Sequence, residues 1–180
     1  MIPVIDNKMM GIFMKKFLVS LLFLTSSYAF SANEPLKEVS EVVELPEFSQ
    51  KQIFDASKIW MAKSFKSSNA VIQYEDAATG TIIGKGNMQY PCKGTWNCLA
   101  HAENLILFTV KVDTKDNKAR ITFNDLLLKT KTTVNAGIVV KGTEFGIYVP
   151  KDKENVEIGL REVISKFKQD IQNQKVDSNW

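Results

Sequence analysis

Two cysteines, one histidine and a few neighbouring carboxylates are the side chains in this 180-residue chain whose types could carry chemistry. Cys92 and Cys98 bracket Lys93-Gly94-Thr95-Trp96-Asn97. Their spacing is not the C-x-x-C of a redox dithiol, and zinc would need two further ligands where His101 offers at most one. The pair is expected as a disulfide staple across a turn-rich insert between two strand-like segments, worth roughly 2 kcal/mol on the loop-entropy argument. Trp96 lies in the middle of that insert. Held on a stapled hairpin tip, it would be a pre-organised partner-binding anchor. The plainer alternative is that it folds back to cover apolar surface beside the sheet.

His101 stands near Glu103 and could serve as a base for a serine, the arrangement a hydrolase would need. No G-x-S-x-G elbow occurs, however, and the apolar flanks Leu99, Ala100 and Ala102 read as an ordinary strand position. Glu75 and Asp76 are adjacent, which on a strand sends them to opposite faces and makes a poor acid–base pair. The run Gly80-Thr81-Ile82-Ile83-Gly84-Lys85-Gly86 departs from a phosphate loop in spacing, in the residue after the lysine, and in its strand-like pattern. Asp113, Asp116 and Asn117 lack the spacing of a calcium loop and read as a solvated turn. The residues therefore predict no catalytic centre, no metal site and no cofactor.

The elements that must position these residues come from an ordinary globular composition, 44% apolar, 24% charged and 10% aromatic. No apolar run reaches the roughly 20 residues of a spanning helix with suitable flanks, so no integral membrane segment is expected. Met14-Lys15-Lys16, the apolar stretch Phe17 to Leu24 and the small residues up to Ala32 form the three regions of a secretory signal peptide. Cleavage fits after Ala29 or after Ser31, the second being favoured, and no cysteine follows either cut. Asp6 ahead of the basic pair breaks the pattern; Met9, Met10 and Met14 are alternative starts, of which Met14 is the one expected. Residues 1–31 are thus expected as the signal region, and the chain as periplasmic or secreted. Those residues hold three lysines and one aspartate, so the rest keeps only +1 of the formal +3. A nearly neutral exported domain has no electrostatic footprint for nucleic acid.

Residues 32–38 read as a polar leader, 39–174 as a single domain and 175–180 as a frayed tail. Val39 to Leu45 is a first strand. Ser49 and Gln52 then form a capping box, with Phe48 placed to staple onto Ile53. That helix is expected to run to about Lys66, with Ile53, Phe54, Ser57, Trp60, Met61, Ser64 and Phe65 on one face. Ala70 to Tyr74 and Thr81 to Tyr90 make a hairpin, in which Gly84 and Gly86 invite Trp60 or a neighbour onto bare backbone. Leu105 to Val112 and Ala119 to Phe123 pair across a turn at residues 114–117, and Leu126 to Leu128 end that unit. Ile138 to Val140 is a short strand and Gly142 to Pro150 a loop or edge segment. From about Asp152 a second helix aligns Val156, Leu160, Val163, Ile164, Phe167 and Ile171, with Gly159 as a weak point, and frays from Gln172. The fold class is α+β, a curved antiparallel sheet backed by two helices on one face.

Trp60, Phe65-Lys66-Ser67-Ser68, Val71-Ile72-Gln73-Tyr74-Glu75-Asp76 and Thr81-Ile82-Ile83-Gly84-Lys85-Gly86 together resemble a bacterial family, over about Val39 to Phe123. It is a domain of unknown function with a TBP-like fold, found in exported proteins. The resemblance implies the curved sheet and its helices and supplies no reaction, ligand or functional residue. The likeness to the TATA-binding protein concerns shape and implies nothing about DNA. The expectation is a non-catalytic binding domain of the periplasm that contacts an envelope protein or small ligand through a sheet surface or the Trp96 loop. A carrier holding a small apolar ligand between the sheet and the C-terminal helix is the alternative, hinted at by Leu126 to Leu128 and by residues 129–150. A hydrolase using His101 comes third.

Overall fold

The capping box that opens the first helix forms as its residues dictate: the Ser49 hydroxyl accepts from the Gln52 amide at 3.3 Å, and Gln52 Oε1 accepts from the Ser49 amide at 2.9 Å. The structure, a computed structural model, describes residues 34–65, 72–135 and 137–177. The expected signal region with Met14 and Ser31, the segment 66–71 and the last three residues lie outside it. The elements run β1 (Glu38–Glu44), α1 (Gln50–Ser64), β2 (Ile72–Asp76), β3 (Thr81–Gln89), α2 (Thr95–His101), β4 (Leu105–Lys115) and β5 (Lys118–Lys129). Then come β6 (Thr133–Asn135), β7 (Ile138–Val140), β8 (Glu144–Gly146) and α3 (Pro150–Asp177). Six strands form one curved antiparallel sheet in the order β1-β5-β4-β3-β2, with β8 also paired to β5. Strands β6 and β7 make a separate two-stranded ribbon.

Period-two patterning decides which face of the sheet is covered. In β4, Ile106, Phe108, Val110, Val112 and Thr114 are buried, and the residues between them are half-buried on the other face. In β5 the buried set begins as Ala119, Ile121 and Phe123 and resumes as Leu126 and Leu128, a change of parity. The cause is a bulge: Leu107 faces Leu127 but Thr109 faces Asn124, so β5 carries one extra residue, and Asp125 takes a positive φ of 52°. This device turns Leu126 and Leu128 into core, and it disposes of the hint that they line a ligand site.

Both long helices cover the same face. Helix α1 buries Ile53, Phe54, Ser57, Trp60 and Met61, and Phe65 follows at its C-cap. It ends at Ser64, two residues before the expected Lys66, and Ser64 itself is exposed. The Ser57 hydroxyl donates to the Ile53 carbonyl at 2.6 Å, which satisfies this buried polar group inside the helix. Helix α3 buries Val156, Leu160, Ile164, Phe167 and Ile171. It starts at Pro150, two residues earlier than the expected Asp152, because proline suits a first helical position. It also continues to Asp177 where fraying was expected from Gln172.

An aromatic chain joins the layers edge to face. Trp60 lies 4.9 Å from Phe167 and 5.2 Å from Phe65, and Phe108 lies 5.4 Å from Phe65 and 5.0 Å from Phe123. Phe108 and Phe65, rather than Trp60, cover the bare backbone of Gly86, where a β-carbon would meet them at 2.8 and 3.3 Å. The leader is not merely polar: the Leu36 amide donates to the Ile147 carbonyl at 2.9 Å, and its side chain packs on the core.

Candidate functional site

The insert between the cysteines is a short helix, α2, and this corrects the hairpin tip expected there. Gly94 opens it at φ 78°, and the Cys98 amide donates to the Gly94 carbonyl at 3.0 Å. Cys92 and Cys98 are disulfide-bonded with their α-carbons 4.8 Å apart, so the first turn of α2 is tied to the strand end before it. His101, expected in a strand, ends the same helix. The described helices therefore number three rather than two. A seven-residue segment is too short for periodicity to reveal, and its Gly and Asn favour a turn reading.

A polar cluster fastens the inner side of α2 to the start of α3. Tyr90 donates its hydroxyl hydrogen to Asp152 Oδ1 at 2.6 Å and receives a hydrogen bond from Asn155 at 3.3 Å. Asn155, fully buried, also donates to Asn97 Oδ1 at 3.2 Å, and the Lys93 amide donates to the same oxygen at 3.1 Å. The His101 ring stacks on Tyr90 with centroids 4.2 Å apart. His101 Nδ1 lies 2.9 Å from the Asn104 side-chain amide, and its Nε2 is 3.9 Å from Asp152 Oδ1. Burial, followed by the bond to the Asp152 carboxylate, pushes the Tyr90 phenol above its ordinary range. The partners these contacts give His101 are an amide, a carboxylate and a phenol ring. Tyr90, Asp152 and Asn155 were missed in the sequence because they lie far apart in it and meet only when α3 closes over β3.

What α2 turns outward is apolar. Trp96 is 83% exposed and Leu99, three residues on, is 71% exposed. This corrects the plainer expectation that Trp96 folds back to cover apolar surface beside the sheet. The row Gln89–Leu105–Lys129–Glu144 marks this end of the sheet, and two excursions pass beyond it: residues 90–104, which contain α2, and residues 130–143, which contain the β6–β7 ribbon. An ion pair between Glu103 and Lys131 ties the two together. Among the described residues, nine of the twelve exposed large apolar side chains belong to these excursions, to β8 or to the β8–α3 junction. Leu99, Ile138 to Val140 and Tyr148 are members that the sequence reading did not single out as contacts.

The open face of the sheet offers a contrasting surface. Asp113 is bonded by Lys111 at 2.9 Å, Arg120 at 3.0 Å and Thr81 at 3.1 Å. Burial pushes its carboxyl up, but those three bonds outweigh it and hold the group below the usual carboxylate range. Ser40 and Thr122 bond across the neighbouring strands at 2.8 Å. Cross-strand pairs satisfy these side chains, whereas Asn124 Oδ1 on the same face is buried with no hydrogen-bond partner among the described residues. A separate cleft of about 690 Å³ opens between the end of α1, β3 and the second half of α3, lined by Trp60, Phe65, Met88 and Val163 and equally by polar residues that include Lys63, Lys166 and Asp170. No described helix is long and apolar enough to cross a membrane.

Breaking the staple tests how much α2 depends on it. Changing both cysteines to serine is expected to cost about 2 kcal/mol, lowering the thermal midpoint by roughly 4–8 °C. A calorimetric scan checks this; an unchanged midpoint would show that the polar cluster alone holds the helix.

Residues 40–128 match the family described as a domain of unknown function (DUF4468) with TBP-like fold. Among solved structures, a TBP-like protein from Parabacteroides distasonis ATCC 8503 is similar at 15% identity and a TM-score of 0.57, over 78% of this chain and 96% of that one. A DUF4468 family protein from Bacteroides ovatus ATCC 8483 is 20% identical with a TM-score of 0.47, over 84% of this chain and 90% of that one. At such identity the likeness to the first shows a shared fold and nothing more. None of the curated proteins matches the chain.

Proposed function

We propose, for a chain whose residues 40–128 belong to this bacterial family of TBP-like domains, an exported binding domain that acts by docking and not by catalysis. The observation that carries it is Trp96, four-fifths exposed on a helix held by a disulfide on one side and a buried polar cluster on the other. A large aromatic side chain on a backbone that is already fixed costs little main-chain entropy on binding, which is the character of an interface anchor. The signal pattern before residue 32 and the disulfide support an oxidising compartment outside the cytoplasm. His101 supports a positioning role, because its ring is spent on stacking and on Asn104.

The test is unreduced mass spectrometry of the native envelope fraction after mild crosslinking. The chain is expected to begin at residue 32, to carry the disulfide, and to be crosslinked to an envelope component. Trp96→Ala should lower the crosslinked fraction about tenfold, the loss of one modest anchor. A full-length, reduced, uncrosslinked chain in the cytoplasm would overturn the proposal. The cleft beside Trp60 and Phe65 favours, as a second reading, a carrier of a small apolar molecule between the sheet and α3. An apolar ligand retained in the same native spectra, with no change on Trp96→Ala, would select it.

A further inference from the structure

We infer that the surface around Trp96 docks onto an anionic lipid surface, a reading that rests on the binding role above and names the occupant. The decisive element is the β6–β7 ribbon. Residues directly opposite in a two-stranded ribbon share a face, and the register pairs Val134 with Val139, Thr133 with Val140 and Asn135 with Ile138. One face therefore carries Val134 and Val139, and the other carries Ile138 and Val140. All four are more than half exposed. A ribbon this short is marginal in water on its own. A flat protein surface would cover one face and leave the other wet. Immersion among lipid headgroups and upper acyl chains covers both.

The helix beside the ribbon supplies the second contact. Trp96 and Leu99 project from α2, which the Glu103–Lys131 ion pair ties to the base of the ribbon. An indole prefers the boundary between headgroups and hydrocarbon, where its ring is apolar and its N–H stays wet. Charge agrees with this arrangement. Residues 90–104 and 129–154 carry six lysines against four carboxylates. Three of those lysines are neutralised in place, Lys129 by Glu144, Lys131 by Glu103 and Lys151 by Glu154. Lys153 bonds the Glu34 carbonyl and Lys93 acts at longer range on the Glu154 carboxylate, whereas Lys141 makes no ion pair among the described residues; Lys93 and Lys141 flank the apolar tips in sequence. They are placed to meet lipid phosphates, and the attraction should weaken with salt.

The experiment uses the exported chain with vesicles of phosphatidylethanolamine and phosphatidylglycerol, against vesicles of phosphatidylcholine alone, read by flotation and tryptophan emission. Expected are flotation with the anionic vesicles, a blue shift that disappears in Trp96→Phe, and a loss of flotation at high salt. Ile138→Asp and Val139→Asp change opposite faces of the ribbon at exposed positions. Each is expected to lower partition roughly tenfold or more, since a charge is placed where an apolar group should enter. Unchanged circular dichroism would show that both variants still fold. If only one of the two variants matters, the ribbon docks flat and the lipid assignment fails. It fails as well if no flotation occurs while Trp96-dependent crosslinks to an envelope protein persist, an outcome that leaves the binding role standing. Absence of both flotation and crosslinks removes the two readings together.

Discussion

Replacing Trp60 by alanine is expected to destabilise the chain by about 3–5 kcal/mol, the range for truncating a large buried aromatic residue. Trp60 is 1% exposed and is the link between helices, edge-on to Phe167 of α3 and to Phe65 at the end of α1. Removing it opens a void that backbone cannot fill, because α1 is fixed at its other end by the capping box and by the Gln50 amide bonded to Asp116 at 2.7 Å. Against a total stability of about 5–15 kcal/mol, this loss would leave a large part of the chain unfolded at moderate denaturant. Trp60→Phe is expected to cost less than half as much. The indole Nε1 is buried with no hydrogen-bond partner among the described residues, and phenylalanine removes that unpaired donor while keeping most of the ring. Urea unfolding followed by circular dichroism measures both. A loss below about 1 kcal/mol in Trp60→Ala would show that the aromatic chain does not join the two helices.

Gly159→Val is the second large effect, expected at about 2–3 kcal/mol, the overpacking range. A β-carbon at Gly159 would lie 2.6 and 2.7 Å from the Cβ and Cγ of Pro91 and 3.3 Å from Met88 Cε. The methionine tip can move, but the proline ring is rigid and the next residue, Cys92, is in the disulfide. Helix α3 would have to lift from β3, straining the bonds from Tyr90 to Asp152 and from Asn155 to Asn97. The variant should therefore lose stability and Trp96-dependent binding together. Gly159→Ala is expected to do less harm, because alanine's helix preference of about 1 kcal/mol offsets part of the overlap. Denaturation of both variants, with crosslinking or vesicle partition alongside, checks the coupling. Full binding in a destabilised Gly159→Val would separate α2 from α3.

Gly159 also illustrates how a local rule misleads. Read along the helix it is a weak residue, since glycine loses more backbone freedom than alanine on ordering. Read across the helix it is the one residue type that lets α3 sit on Pro91. The cysteine insert shows the same limit: Thr95 to His101 has no pattern long enough to separate helix from turn, and it is helical because the disulfide and Asn155 hold both sides of it. The β5 bulge was hidden for another reason. The change of phase after Phe123 is written in the residues, but Leu126 to Leu128 form a continuous apolar run that conceals parity.

By itself the sequence determined what depends on neighbours a few residues apart. The capping box at Ser49, the apolar stripes of α1 and α3, the alternation of β4, the turn before Gly80 and the pairing of Cys92 with Cys98 are all of that kind. Short-range sterics and hydrogen bonding dictate such features, so they can be read from spacing alone. Tertiary structure alone decided which residues meet from distant segments: Tyr90 with Asp152, Trp60 with Phe167, and α2 beside the β6–β7 ribbon. The candidate surface belongs to this second kind. Burial of the sheet's covered face draws the apolar residues of every strand inward, and Trp96, Leu99 and Ile138 remain outside because their short elements project past the last row of paired strands.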